Sequence, residues 1–227
     1  MVKGMSSETM TRLVLGTRNS HKVQELQELL RGLPIPLLTL ASFPQAPIPD
    51  ETGTSFEENA ALKATQLAKA LGEWVLGEDS GLVVPALGGE PGVHSAVYAG
   101  KHGDDAANNA LLLQRLQGVP TEKREAYYVC VAVLADPTGK IRAQAEGRCY
   151  GRIALAPRGS NGFGYDPLFE IVEYHRTFGE LSPLVKRVLS HRARAIEKLL
   201  PQLVPFLPPA VSTSGPYDHT AGKAGSP

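Results

Sequence analysis

These 227 residues are poor in several things, and each scarcity excludes something. Lysine plus arginine numbers 23 and aspartate plus glutamate numbers 23, so neither sign of charge is in excess. A chain that grips a nucleic-acid backbone shows a basic surplus, so no nucleic-acid polymer is the expected partner. No apolar run approaches the ~20 residues of a membrane-spanning helix. The opening MVKGMSSETM lacks the apolar core of a secretory leader. No membrane partner is expected, and the expected location is cytoplasmic. The two cysteines, Cys130 and Cys149, lack the close spacing of a zinc or redox motif. Folding a hairpin about the intervening ADPTGK does not bring them opposite one another, so free packed thiols are expected.

What is present is an ordinary globular composition, 42% hydrophobic and 20% charged. The length suits one domain with a substantial core. Residues 1–10 are expected to be a flexible extension, with Met10 an equally good start site. Residues 11–207 form the expected domain. Residues 208–227, rich in Pro, Gly, Ser and Thr, hold too little apolar surface to offset their ordering entropy and are expected to be disordered.

Between these ends the periodicity alternates. RLVLGT reads as a strand, and NSHKVQELQELLRGL carries Val23, Leu26, Leu29, Leu30 and Leu33 at helical spacing. A second helix is predicted over 56–71, with Ser55 and Glu58 as a capping box. WVLG and LVVPAL read as two strands flanking GEDSGL. DDAANNALLLQRLQG reads as a helix ending at Gly118. AYYVCVAVLA and IRAQAEGRCYG read as an antiparallel pair, the second alternating Ile141, Ala143, Ala145, Gly147 and Cys149 with polar residues. A last helix is predicted from Ser182-Pro183 to about Pro201. The fold class is α/β with a mixed sheet flanked by helices.

Five segments carry candidate chemistry. In GTRNSHK, 16–22, a strand becomes a helix, where free backbone N–H groups attract anions. Thr17, Asn19, Ser20 and Lys22 add donors and charge; Thr17 or Asn19 serves equally as a simple helix cap. In DETGTSFEENA, Glu57 and Glu58 suit a first helical turn, whereas Glu51 lies outside the helix. In GEDSGL, Asp79 is expected beside a strand end, where α/β sheets place ligands; magnesium needs only one or two such carboxylates when phosphates complete its shell. A surface turn explains the same residues. GSNGFGYDPLF places Phe163 and Tyr165 among glycines, suited either to stacking on a flat heterocycle or to folding inward at a turn. In KRVLSHRARA, Lys186 and His191 lie five apart and do not share a face of a regular helix; only long side chains or a bent helix would let both reach one ligand. Arg194 and Lys198 read as a solvated basic face.

Taken in order, TRNSHK, ETGTSFEENA with KA beyond it, EDSGL, LGGEPGVHSA, GFGYDP and SHRARA resemble the inosine triphosphate pyrophosphatase family, over roughly residues 13–200. The resemblance implies an elongated two-lobed α/β fold with a central cleft, a homodimer, and magnesium-dependent hydrolysis of non-standard purine nucleoside triphosphates to monophosphate and pyrophosphate. It implies Asp79 as general base and metal ligand and Glu51 as second metal ligand, with Glu58 the alternative. It implies that Thr17, Arg18, Asn19, Ser20, His21, Lys22, Ser80 and Lys186 hold the triphosphate. Phe163, Gly164, Tyr165, Asp166, His191 and Arg192 would hold the base. Donors on Arg192 and on a protonated or suitably tautomeric His191 would favour the C6 oxygen of inosine or xanthosine over the adenine amino group. A pyrophosphatase for pyrimidine or modified nucleotides, and a nucleotide-binding protein without turnover, are the alternatives.

Overall fold

The computed structural model of the protein describes residues 9–209. One seven-stranded sheet organises the chain, in the order β2-β1-β3-β4-β5-β6-β7. The strands are β1 (Leu13–Leu15), β2 (Leu37–Thr39), β3 (Val75–Val83), β4 (Glu125–Ala135), β5 (Ile141–Ile153), β6 (Phe169–Ile171) and β7 (Arg176–Thr177). β1 pairs in parallel with β2 and β3, and the remaining pairings are antiparallel. The helices are α1 (Ser20–Leu29), α2 (Phe56–Leu71), α3 (Asp105–Arg115), α4 (Pro183–Leu189) and α5 (His191–Leu203). The expected mixed α/β class is therefore observed.

The long strands β3, β4 and β5 run between two packed ends. At one end they are covered on both faces. Leu26 of α1 and Ala195, Ile196 and Leu199 of α5 pack on Leu76, Cys130, Ala132 and Leu134. Ala60, Ala64 and Leu67 of α2 pack on the opposite face, over Val75, Val131 and Val133. At the other end Leu82, Tyr128, Cys149, Phe169 and Phe178 form a separate cluster with Leu112 and Leu116. Among the described residues no helix is long and apolar enough to cross a membrane.

Three sequence expectations are corrected. GEDSGL is not a break between two strands; it lies inside β3, paired with β4 from Val75 through Val83. Its glycines are there for close approach rather than for turning. A methyl group at Gly77 would sit 2.5 Å from the Ala64 nitrogen of α2, and one at Gly81 would sit 2.4 Å from the Ser95 hydroxyl. Asp79 is therefore a mid-strand residue. The last helix is two helices. Ser190 is extended (φ −66°, ψ 156°); its N–H donates to Lys186 O, ending α4, and its hydroxyl accepts the Ala193 N–H, starting α5. Pro201 lies within α5 instead of ending the helix. Met10 is not part of a frayed extension. It is fully buried, and its N–H donates to Phe206 O at 2.6 Å. Residues 1–8 of the expected 1–10 extension and residues 210–227 of the expected 208–227 tail lie outside the described residues.

The second helix spans 56–71 as expected, and Ser55 and Glu58 cap its start. Ser55 accepts the Glu58 N–H at 3.1 Å, while the Glu58 carboxylate turns to the Thr54 N–H and hydroxyl. Cys130 pairs with Gly147 and Cys149 with Tyr128, and both thiols are free and buried.

Candidate active site

Strand alternation sends Glu78 and Asp79 to opposite faces of β3. Asp79 points toward α2. Its Oδ1 accepts from Lys63 Nζ at 2.8 Å, and the same ammonium meets Glu51 Oε2 at 2.9 Å. Asn59 braces this corner, with Nδ2 3.5 Å from Asp79 Oδ2 and Oδ1 accepting the Gly53 N–H. Glu58, occupied in capping, takes no part, so Glu51 is the carboxylate that joins Asp79. Burial pushes the Asp79 carboxyl above its usual range, although Lys63 and Lys22 pull it down.

Glu78 points the other way, fully buried beneath α1 and α5. Lys22 Nζ lies 2.8 Å from its Oε1 and Arg192 Nε 3.2 Å from its Oε2. Burial opposes its ionisation, but Arg192 and Lys22 outweigh burial and hold the carboxyl well below its usual range. The Arg192 guanidinium also binds Glu25 and donates to Ser80 Oγ at 3.0 Å. Glu25 in turn meets Lys186 Nζ at 2.8 Å, and Lys186 meets Asp166 at 2.6 Å. Three cations and three carboxylates thus alternate in one chain from Lys22 to Asp166, buried except at the half-buried Lys22 and Glu25. Removing one member would strand a buried charge, a loss typically of about 3–5 kcal/mol.

Above these layers opens a cleft of about 270 Å³. Thr17, Arg18, Asn19 and Lys22 line one wall, with Glu51, Lys63, Asp79 and Ser80 on its floor. Asn19 caps α1, its Oδ1 accepting the His21 and Lys22 N–H groups, and Arg18 donates to Ala46 O at 2.7 Å. Phe163, Gly164, Tyr165, Asp166, Lys186, His191 and Arg192 line the far end. The α4–α5 break at Ser190 supplies the bend that brings Lys186 and His191 to one cleft.

Two residues expected in the phosphate turn do not line the cleft. Ser20 is exposed, and His21 instead stacks on Phe163, with centroids 5.0 Å apart and planes at 11°. Lys186 Nζ lies 4.4 Å from the Phe163 centroid. Behind Phe163 and Lys186 a second hollow of about 300 Å³ extends toward Ser190, Phe178 and Leu181. Tyr165 is not a free stacking platform: its ring is buried and its hydroxyl donates to Ser95 O at 2.9 Å. Gly162 has φ 76°, and a methyl group there would sit 1.9 Å from Asp166 Oδ2, so only glycine lets that carboxylate fold back to the Phe163 N–H.

His191 is buried and stacked on Tyr128, with centroids 4.7 Å apart. Burial, then Arg192 and Lys186, depress its pKa well below 6.5, so the ring is neutral rather than the protonated donor considered from sequence. Its Nδ1 is buried without a partner. Arg192 spends its donors on Glu78, Glu25 and Ser80 in this conformation.

Sequence reasoning missed Lys63, Glu25, Asn59 and Tyr128. Lys63 falls in the second helix, seven residues after Phe56 and on the same face. Glu25 falls one turn after His21 and Lys22. Helical spacing puts both beside residues already singled out, but their charge alone reads as a solvated face.

The fold and cleft define an α/β protein whose site joins a capped helix start, a carboxylate pair and an aromatic far end. The chain belongs to the Ham1 family, whose sequence profile matches residues 13–202. It is 53% identical to the dITP/XTP pyrophosphatase of Rhodopirellula baltica over 85% of this chain and 92% of that protein. It is 48% identical to the dITP/XTP pyrophosphatase of Geobacillus kaustophilus over 84% and 93% of the two chains. A HAM1 protein from Coxiella burnetii superposes with a TM-score of 0.78 at 40% identity, covering 86% of this chain and 100% of that one.

Proposed function

We propose that the protein hydrolyses non-standard purine nucleoside triphosphates, those of inosine and xanthosine, to the monophosphate and pyrophosphate. One observation carries this reading: the Asp79–Lys63–Glu51 corner sits on the floor of the same cleft as the Thr17–Lys22 turn. The names of relatives near 50% identity support the substrate class.

Two carboxylates converging on one ammonium are hard oxygen donors of the kind magnesium takes, with substrate phosphates filling the remaining positions. No group of three or more acidic, histidine or cysteine side chains arranged for a metal occurs among the described residues. Asp79 and Glu51 are the residues that would hold magnesium. Bound there, magnesium would neutralise charge on the polyphosphate. Lys22, a cleft-lining cation paired with Glu78, meets the phosphates from the wall of the cleft. Asp79, rigid in mid-strand and raised by burial, accepts a proton from the attacking water. The new bond runs from water oxygen to the α-phosphorus, and pyrophosphate leaves with the broken anhydride oxygen. Phe163 offers a stacking face once His21 moves aside. Neutral His191, with its free Nδ1, meets the polar edge of the base; Arg192 does so only by releasing a carboxylate.

A homodimer is part of the same proposal. Tyr150 and Val188, 62% and 70% exposed, share one surface hollow with Arg148 and Arg194. Sedimentation at micromolar protein tests this, and a monomer would reject it. The free buried thiols suit a reducing cytoplasmic setting.

The test of function is a screen of nucleoside triphosphates with and without magnesium, with products identified. Inosine monophosphate plus pyrophosphate is expected. Inosine diphosphate plus orthophosphate would overturn attack at the α-phosphorus. Binding without turnover would favour the non-catalytic reading.

A further inference from the structure

Helix α3 opens with Asp104-Asp105-Ala106-Ala107-Asn108-Asn109. Asp104 caps the helix, accepting the Ala107 N–H at 3.1 Å. The next polar residues serve other segments. Asp105 Oδ2 accepts the Gly164 N–H at 2.7 Å, and Asn109, one turn later, donates from Nδ2 to Gly164 O at 2.9 Å. Both backbone groups of one cleft-lining residue are therefore held by one face of α3. Asn108 does the same for the adjoining wall, accepting the Ala99 N–H at 2.8 Å and donating to Ala96 O at 3.4 Å. Tyr165 then ties the two walls together through Ser95 O.

Gly164 sits between Phe163 and Tyr165, so its peptide planes set the tilt of both rings. Packing of α3 is already supplied by Leu112 and by Leu116 just past its end. Asn109 leaves its Oδ1 buried without a partner, a cost that a residue serving only to pack would avoid. The group it uses is the donor to Gly164.

We propose that Asp105 and Asn109 are positioning residues for base recognition, fixing Gly164 so that the Phe163 ring is presented to the purine. The proposal rests on the nucleotide-hydrolase reading above. It separates two ends of one cleft: α3 governs the base end, and the Asp79 corner governs the phosphate end.

The experiment is steady-state hydrolysis of inosine triphosphate with inosine monophosphate and pyrophosphate as product inhibitors, alongside melting temperatures. Asp105→Ala and Asn109→Asp, the latter placing an acceptor against Gly164 O, are expected to raise KM and the inhibition constant of inosine monophosphate about tenfold, as loss of one hydrogen bond does. kcat should stay within about threefold and pyrophosphate inhibition should not change. Asp105→Asn keeps an acceptor oxygen and should restore wild-type constants. If Asn109→Asp does not fold, Asn109→Ser removes the donor reach with less perturbation. Unchanged inhibition by inosine monophosphate would overturn the proposal. So would parallel weakening of both products, or an Asp105→Asn variant as impaired as Asp105→Ala. Wild-type turnover is read first: its absence on every purine triphosphate would remove the functional reading, and this inference with it. Normal wild-type turnover with unaffected variants would remove this inference alone.

Discussion

At the scale of single residues, Asp79 and His191 show how burial prepares opposite chemistry. Asp79 is 6% exposed and shares Lys63 with Glu51. Asp79→Asn keeps an oxygen for Lys63 and should remain folded, but its amide cannot accept a proton from water. Loss of at least about a hundredfold in kcat is expected, the usual scale for removing a general base. Turnover within about tenfold of wild type would show that Asp79 is not the base. His191 is neutral in the fold because its pKa is depressed below 6.5, whereas the unfolded chain protonates near that value. Below it the unfolded state binds more protons, so stability present above pH 6.5 is lost as pH falls, by at most about 1.4 kcal/mol per unit. Asp79 and Asp166 are shifted upward and act in the opposite sense, but they are common to wild type and variant. Urea unfolding at pH 6.5 and 5.5 should therefore show a smaller loss for His191→Gln than for wild type. Identical losses would mean that His191 is charged in the fold.

At the scale of elements, the junction at Ser190 decides the geometry of the far end of the cleft. An uninterrupted helix would turn Lys186 and His191 to different faces. The break restarts the helix at His191, so the two side chains converge. Ser190→Ala removes the hydroxyl that accepts the Ala193 N–H, at a cost of about 1 kcal/mol. Because that hydroxyl orients the first turn of α5, KM for nucleotide should rise more than kcat falls. A variant with the stability loss but wild-type KM would show that the cap serves folding alone. This junction also marks where the sequence was legible and where it was not. Helix α2 and the β4–β5 pair were readable because capping residues and period-two alternation act locally. The break at Ser190 was not, because Val185, Val188, Leu189, Ile196 and Leu199 mimic one continuous stripe, although Val188 is 70% exposed. Continuity of β3 was hidden for a related reason: a glycine admitting α2 or Ser95 looks, in sequence, like one making a turn. Among site residues, those beside turns and caps were visible. Lys63 and Glu25 were not singled out, because a charged residue on a helix looks solvated until the fold buries it.

At the scale of the whole molecule, the two ends of the described chain are tied together. Met10 and Phe206 are joined by a backbone hydrogen bond, and Phe206 packs against the Trp74 ring at 5.1 Å between centroids. Met10 belongs to the cluster beneath α1 and α5, the same layer that holds Glu78 and Arg192 beside it. It lines no part of the cleft. This separates stability from chemistry in a way that can be measured. Met10→Ala removes a fully buried side chain and should cost about 2–5 kcal/mol. For a domain of this size that is a fall in melting temperature of roughly 4–20 °C. Arg192 and Glu78 are held by charge pairs rather than by contact with Met10, so kcat and KM well below the new transition should match wild type. An unchanged melting temperature would show that the Met10 side chain contributes nothing to the core. A normal melting temperature shift with a large rise in KM would show instead that the charge chain beneath the cleft depends on the packing at this end.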